Sequence, residues 1–174
     1  MSSPLGLRLD PNDTLQTFAE VSVALAGFIG ITAAFRRRDS SSWSTYDINS
    51  VRFVLEVSFA ALFLSVLPAI IVNLGVAEAP AWQVAGGLMS LTLVALFIYQ
   101  SHRRRRMEQE LGSTRSLEAR PYLLALYVVI TALIAISSAL DIAVTGAYLI
   151  GVSMLLASAA IEFLAFVAGL QDDG

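Results

Sequence analysis

The chain of 174 residues contains no cysteine. That single absence excludes structural disulfides, thiolate metal sites, iron–sulfur ligation and covalent haem attachment. Lysine is absent too, every basic residue being arginine, so no retinal or pyridoxal Schiff base can form. His102 is the only histidine. A metal site would need carboxylates or His102 repeated across subunits, and neither a metal nor a cofactor is expected. Charged residues make up 14% of the chain, against about 25% in an ordinary soluble domain. Catalytic signatures are missing as well. There is no paired-histidine motif, no phosphate-cradling loop and no serine in a nucleophile context, since Gly27, Gly30 and the Gly86-Gly87 pair read as packing glycines. No enzymatic activity is expected.

What the chain has in excess is apolar surface. Hydrophobic residues reach 56% with a mean hydropathy of +0.71, more than a soluble fold can hide. They fall into runs of about 20, the length that crosses a hydrocarbon core of about 30 Å at about 1.5 Å per residue. The reading is an all-α, polytopic helical membrane protein forming one integral membrane domain over 1–174. Its five transmembrane helices are expected near 14–35, 51–74, 81–101, 121–140 and 146–169. The alternative is four spans, with Asp141 to Leu170 as one long tilted helix or a re-entrant element.

Local signals set the boundaries. Asp10-Pro11-Asn12-Asp13 predicts a helix start, with Asp10 as N-cap and Pro11 at the first helical position. The polar stretch from Asp39 to Asn49 reads as a connection, and Gly75 to Pro80 as a short turn that forces antiparallel neighbours. The third span is expected to continue as a charged helix until Gly112 stops it. The apolar run from Pro121 to Leu170 is predicted to break near Asp141 to Gly146.

The arginines are sided. Arg36 to Arg38 follow the first span and six more lie between His102 and Pro121, so the positive-inside rule puts the N-terminus outside and the C-terminus inside. Because these charges follow the first apolar run, it reads as a retained span and not a cleaved signal. Arg103, Arg104, Arg105 and Arg106 are a topology signal suited to anionic lipid headgroups. Nucleic acid is not an expected partner. The expected location is the inner membrane of a bacterial cell.

Acids inside the spans are the candidate functional residues, because a carboxylate in the hydrocarbon region must be paired, protonated or facing water. Glu20 lies about five residues from the outer end of the first span. Glu56 and Glu162 lie nearer the inner side, so two polar layers about 15 Å apart are expected. The outer layer also takes in Gln16, Asn73, Gln83 and Asp141, although Asp141 is assigned to the turn. Arg52 and Glu56, four apart, predict an intrahelical ion pair. Glu162 has no basic neighbour in sequence and must pair across helices with Arg52, stay protonated or line a wet cavity. Small residues form a second pattern: Ser22, Ala26, Gly30 and Ala34 recur every fourth position. In the last span Ala143, Ala147 and Gly151 mark one face, and Ser158, Glu162, Ala165 and Gly169 another. Such stripes let helix backbones approach closely. They leave open whether the packing is within one subunit or between subunits.

The leading reading is a small homo-oligomer conducting or coupling ions through Glu20, Glu56 and Glu162. The alternative is a non-catalytic accessory or scaffold subunit of a larger membrane complex, whose acids only bond helices together, and a lipid-handling or sensory protein using the arginine loop ranks below both.

Overall fold

The computed structural model describes residues 10–36, 45–111, 120–140 and 143–172. The described residues form five helices, α1 (Pro11–Arg36), α2 (Thr45–Asn73), α3 (Glu78–Leu111), α4 (Arg120–Leu140) and α5 (Val144–Asp172), with no strand among them. Four of these, α1, α2, α3 and α5, are long and apolar enough to cross a membrane. In α4, which has 21 residues, the described apolar part is Val128–Ser137.

The ends of the helices follow local chemistry. Asp10 Oδ1 accepts a hydrogen bond from the Asn12 N–H at 2.9 Å and the Asp10 carbonyl one from the Thr14 N–H at 3.1 Å, which is an N-cap satisfying the free donors of the first turn. The polar stretch before the second span is helical from Thr45, earlier than the apolar run alone predicts. Asp47 in that first turn faces the positive end of the helix dipole. Pro68 lies inside α2, which stays one helix to Asn73. Proline is tolerated within a span when neighbouring groups take over the freed backbone partners. Gly75 then adopts φ of 91°, a left-handed conformation that favours glycine. Gly112, predicted to stop the third helix, lies outside the described residues, and Leu111 is the last described residue of α3. At about 1.5 Å per residue its 34 residues outrun a hydrocarbon core of about 30 Å. Arg103 to Leu111 is therefore the end that extends beyond the apolar span. The break in the last apolar run falls where predicted, α4 ending at Leu140 and α5 starting at Val144. Asp141 lies outside the described residues.

The chain divides into two units, one of 1–73 with 152–174 and the other of 74–151. In the first, α1 packs against α2. Among the buried positions of α2, Asp47, Ser50, Val54, Val57, Ala61, Leu64, Pro68 and Ile71 alternate by three and four, with Ser58 and Ser65 buried beside them. In α1 they are Leu15, Ser22 and Ile29, seven apart. This heptad spacing keeps one seam facing a neighbour that crosses at a shallow angle. The four-residue stripe behaves differently. Each step of four turns about 40° around a helix of 3.6 residues per turn, so the stripe winds off the seam. Ser22 is buried and Ala26 half-buried, whereas Gly30 and Ala34 are exposed.

In the second unit α3 packs against α4, and the first turns of α5 add Val144, Ala147 and Tyr148 to the buried set of Ala81, Trp82, Ala85, Met89, Leu93 and Ile134. Trp82 and Tyr148 meet edge to face with ring centroids 5.7 Å apart and an interplanar angle of 78°. Gly151 is a close-approach point. A Cβ there would overlap Met89 Sδ and lie 2.6 Å from Ile134 Cδ1. Ala143 precedes α5 and has φ of 48°. It is therefore the cap, its carbonyl accepting from the Ala147 N–H at 3.0 Å, and no part of a helix face.

Candidate functional site

The polar side chains within the apolar helices are the candidate site. Most hydroxyls are bonded one turn back along their own helix: Ser22 to Phe18, Thr32 to Phe28, Ser65 to Ala61, Ser90 to Gly86, Thr92 to Leu88, Ser137 to Leu133 and Ser158 to Met154, each donating to the carbonyl at 2.7–3.0 Å. A hydroxyl with no water nearby is satisfied this way at little cost to the helix.

The three intramembrane glutamates have three different surroundings. Arg52 Nε donates to Glu56 Oε1 at 2.7 Å across one turn of α2, in the i,i+4 geometry that lets the two side chains share a face. The arginine side chain is 60% exposed and the glutamate 26%. Glu162 of α5 is half-buried and accepts from Ser50 Oγ of α2 at 2.8 Å. Glu20 is exposed, and its Oε1 accepts from Gln16 Nε2 at 3.1 Å along α1.

Ser50, which holds Glu162, was not singled out from the sequence. Its signal is the three-four alternation: read as a seam, α2 begins with Asp47 and Ser50, both buried, before Val54 and Val57. Of the residues expected in an inner layer, Arg52 is bonded to Glu56, and Glu162 to Ser50. Of the residues expected in an outer layer, Asn73 Nδ2 donates back to the Ala69 carbonyl at 2.9 Å and Gln83 is half-buried. His102 is exposed. No group of three or more histidine and carboxylate side chains suited to a metal ion occurs among the described residues. The side chains of Arg104, Arg105 and Arg106 fall outside what is described.

Between α1 and α2 runs a groove of about 300 Å³, with Ser22, Ala26 and Gly27 on one wall and Leu55, Ser58 and Leu62 on the other. Ser58 departs from the other hydroxyls. It is 1% exposed, and among the described residues its Oγ is the one buried side-chain polar atom without a hydrogen-bond partner. A buried hydroxyl left unmatched costs free energy.

Long apolar helices whose polar side chains bond to one another or to their own backbone define a helical, multi-pass membrane protein. Compared with known proteins, the chain matches no family model, no curated protein and no solved structure.

Proposed function

We propose that the chain is a non-catalytic structural subunit of a membrane assembly, one whose polar side chains serve helix association. The observation that carries this reading is that Glu56 and Glu162 are already engaged inside the chain, by Arg52 at 2.7 Å and by Ser50 at 2.8 Å. An acid serving as a conducting site has to exchange partners with water or an ion. An acid bonded across helices specifies packing instead. The same reading sets the chain in a bacterial inner membrane with the N-terminus outside, both arginine loops in the cytoplasm and Arg103 to Arg106 against anionic headgroups.

Ion conduction in an oligomer is the second reading. Glu20 favours it, because its carboxyl is exposed within a span and is the acid most accessible to a pathway formed between subunits. The test is purification into lipid nanodiscs, native mass measurement with identification of co-purifying chains, and cation flux in liposomes. Under the structural reading, Glu20→Gln, Glu56→Gln and Glu162→Gln leave flux at the level of empty liposomes, as does the unaltered chain. Flux above that background, abolished by Glu20→Gln with the mass unchanged, would replace the structural reading with conduction.

A further inference from the structure

We infer that the groove between α1 and α2 is a binding site for a quinone dissolved in the membrane, held by a hydrogen bond from the Ser58 hydroxyl to a ring carbonyl. Such a site stands whether or not the chain assembles with others.

Ser58 is the residue that points to a ligand. It lines the groove and is 1% exposed, yet its Oγ has no hydrogen-bond partner. Ser22 on the opposite wall is also buried, but it donates to the Phe18 carbonyl at 2.7 Å. The other side chains lining the groove are apolar. A ligand there is therefore held by apolar contact and by one polar atom, the Ser58 hydroxyl, which gains a partner only when the ligand brings one.

Depth and hydrogen-bond matching choose the ligand. Ser22 to Gly27 lie near the middle of the α1 span Pro11–Phe35, and Leu55 to Leu62 near the middle of the α2 span Asp47–Asn73. Water and the ester carbonyls of phospholipids belong to the interfacial layers on either side of the hydrocarbon core. The acceptor must then be carried into the core by a molecule that dissolves there. A ligand hydroxyl would bring a donor of its own and leave one hydrogen unmatched, since a bond between two hydroxyls uses one of their two hydrogens. A carbonyl brings acceptors alone, so it matches the serine donor with nothing left over. Phe59 on the groove wall offers an aromatic face to a planar ring. The volume of about 300 Å³ is at the small end of ligand pockets. Val23 and Phe59, which also line it, are 56% and 50% exposed, so a tail has a way out into lipid.

The test uses the purified chain in lipid nanodiscs and two probes, a methylnaphthoquinone carrying one prenyl group and a methylnaphthalene carrying the same group. They share ring and tail and differ in the carbonyls. The quinone is expected to bind saturably and about tenfold more tightly than the hydrocarbon, the worth of one buried hydrogen bond. Ser58→Ala should bring the two probes within about twofold of each other, while Ser22→Ala, whose hydroxyl is bonded to its own helix, should keep the tenfold preference. Gly27→Leu should weaken both probes by about fivefold or more by occupying the groove. Nothing lies within 4 Å of a Cβ at Gly27, so the fold has room for that leucine. The carbonyl stretching band of the bound quinone should fall in frequency with the unaltered chain and stay in place with Ser58→Ala. Absence of saturable binding overturns the site. Equal affinity for the two probes, the result expected of a groove that takes any acyl chain, overturns it too, as does a preference for the quinone that survives Ser58→Ala.

Discussion

Ser50 and Glu162, 112 residues apart in the chain, are joined by a hydrogen bond of 2.8 Å from the serine hydroxyl to the carboxyl. It fixes which turn of α5 lies against the start of α2 within their unit. A double-mutant cycle with Ser50→Ala and Glu162→Leu, read by unfolding in mixed detergent micelles, should give a coupling of about 0.6 kcal/mol and not more than about 1.7, the range for interhelical hydrogen bonds in membranes. Glu162→Gln keeps an acceptor and should lose less than Glu162→Leu. Additive single variants would mean that the two side chains are not bonded in the membrane.

Ser58 is buried without a partner, so removing its hydroxyl removes a penalty. Ser58→Ala should be neutral or more stable by up to about 1 kcal/mol, since the desolvation cost of an unmatched group disappears with the group. Ser65→Ala is the comparison, because Ser65 Oγ is bonded to the Ala61 carbonyl at 2.8 Å. A loss above about 1 kcal/mol for Ser58→Ala would show that its hydroxyl finds a partner in the bilayer.

Gly151 and Gly146 stand on the same helix in opposite surroundings. Leucine at Gly151 would drive into Met89 and Ile134, whereas nothing lies within 4 Å of a Cβ at Gly146. Gly151→Leu should destabilise by about 1–3 kcal/mol, the usual cost of overpacking. Gly151→Ala should lose less, because the crowded atoms, Met89 Sδ and Ile134 Cδ1, lie toward the ends of flexible side chains. Gly146→Leu should be nearly silent. Equal effects of leucine at the two positions in thermal unfolding in detergent would contradict the close approach.

Two residues take positive φ, and substitution there should act with opposite sign. Gly75→Ala puts a Cβ at φ of 91° and Ala143→Gly removes one at 48°. The first should cost roughly 1 kcal/mol and the second should gain up to roughly the same, from the left-handed penalty of L-residues. Thermal midpoints that move in the same direction would rule out this account.

How much of this was legible beforehand depends on the range of the interaction. The Asp10 cap, the break between α4 and α5 and the Arg52–Glu56 pair were all readable, because each depends on neighbours within a turn or two. The Ser50–Glu162 bond was not. Glu162 has no partner nearby in sequence, and several polar side chains of α2 were equally available to it. The stripe Ser22, Ala26, Gly30 and Ala34 was legible as a pattern, but which of its members this chain covers was not: Ser22 is buried and Ala26 half-buried, whereas Gly30 and Ala34 are exposed.

The sequence by itself determined that this is a helical membrane protein, where α1 starts and where the last apolar run breaks, and that thiolate and lysine Schiff-base chemistry are closed to it. Those properties follow from local hydropathy, capping and composition. Tertiary structure decided which face of each helix is covered and which polar side chains meet. The reason is the solvent. In water, burial sorts apolar from polar faces and writes the core into the sequence. In lipid an apolar residue is content on either side. Only the fit of Gly151 beneath Met89 and Ile134, or of Ser50 against Glu162, distinguishes inside from outside.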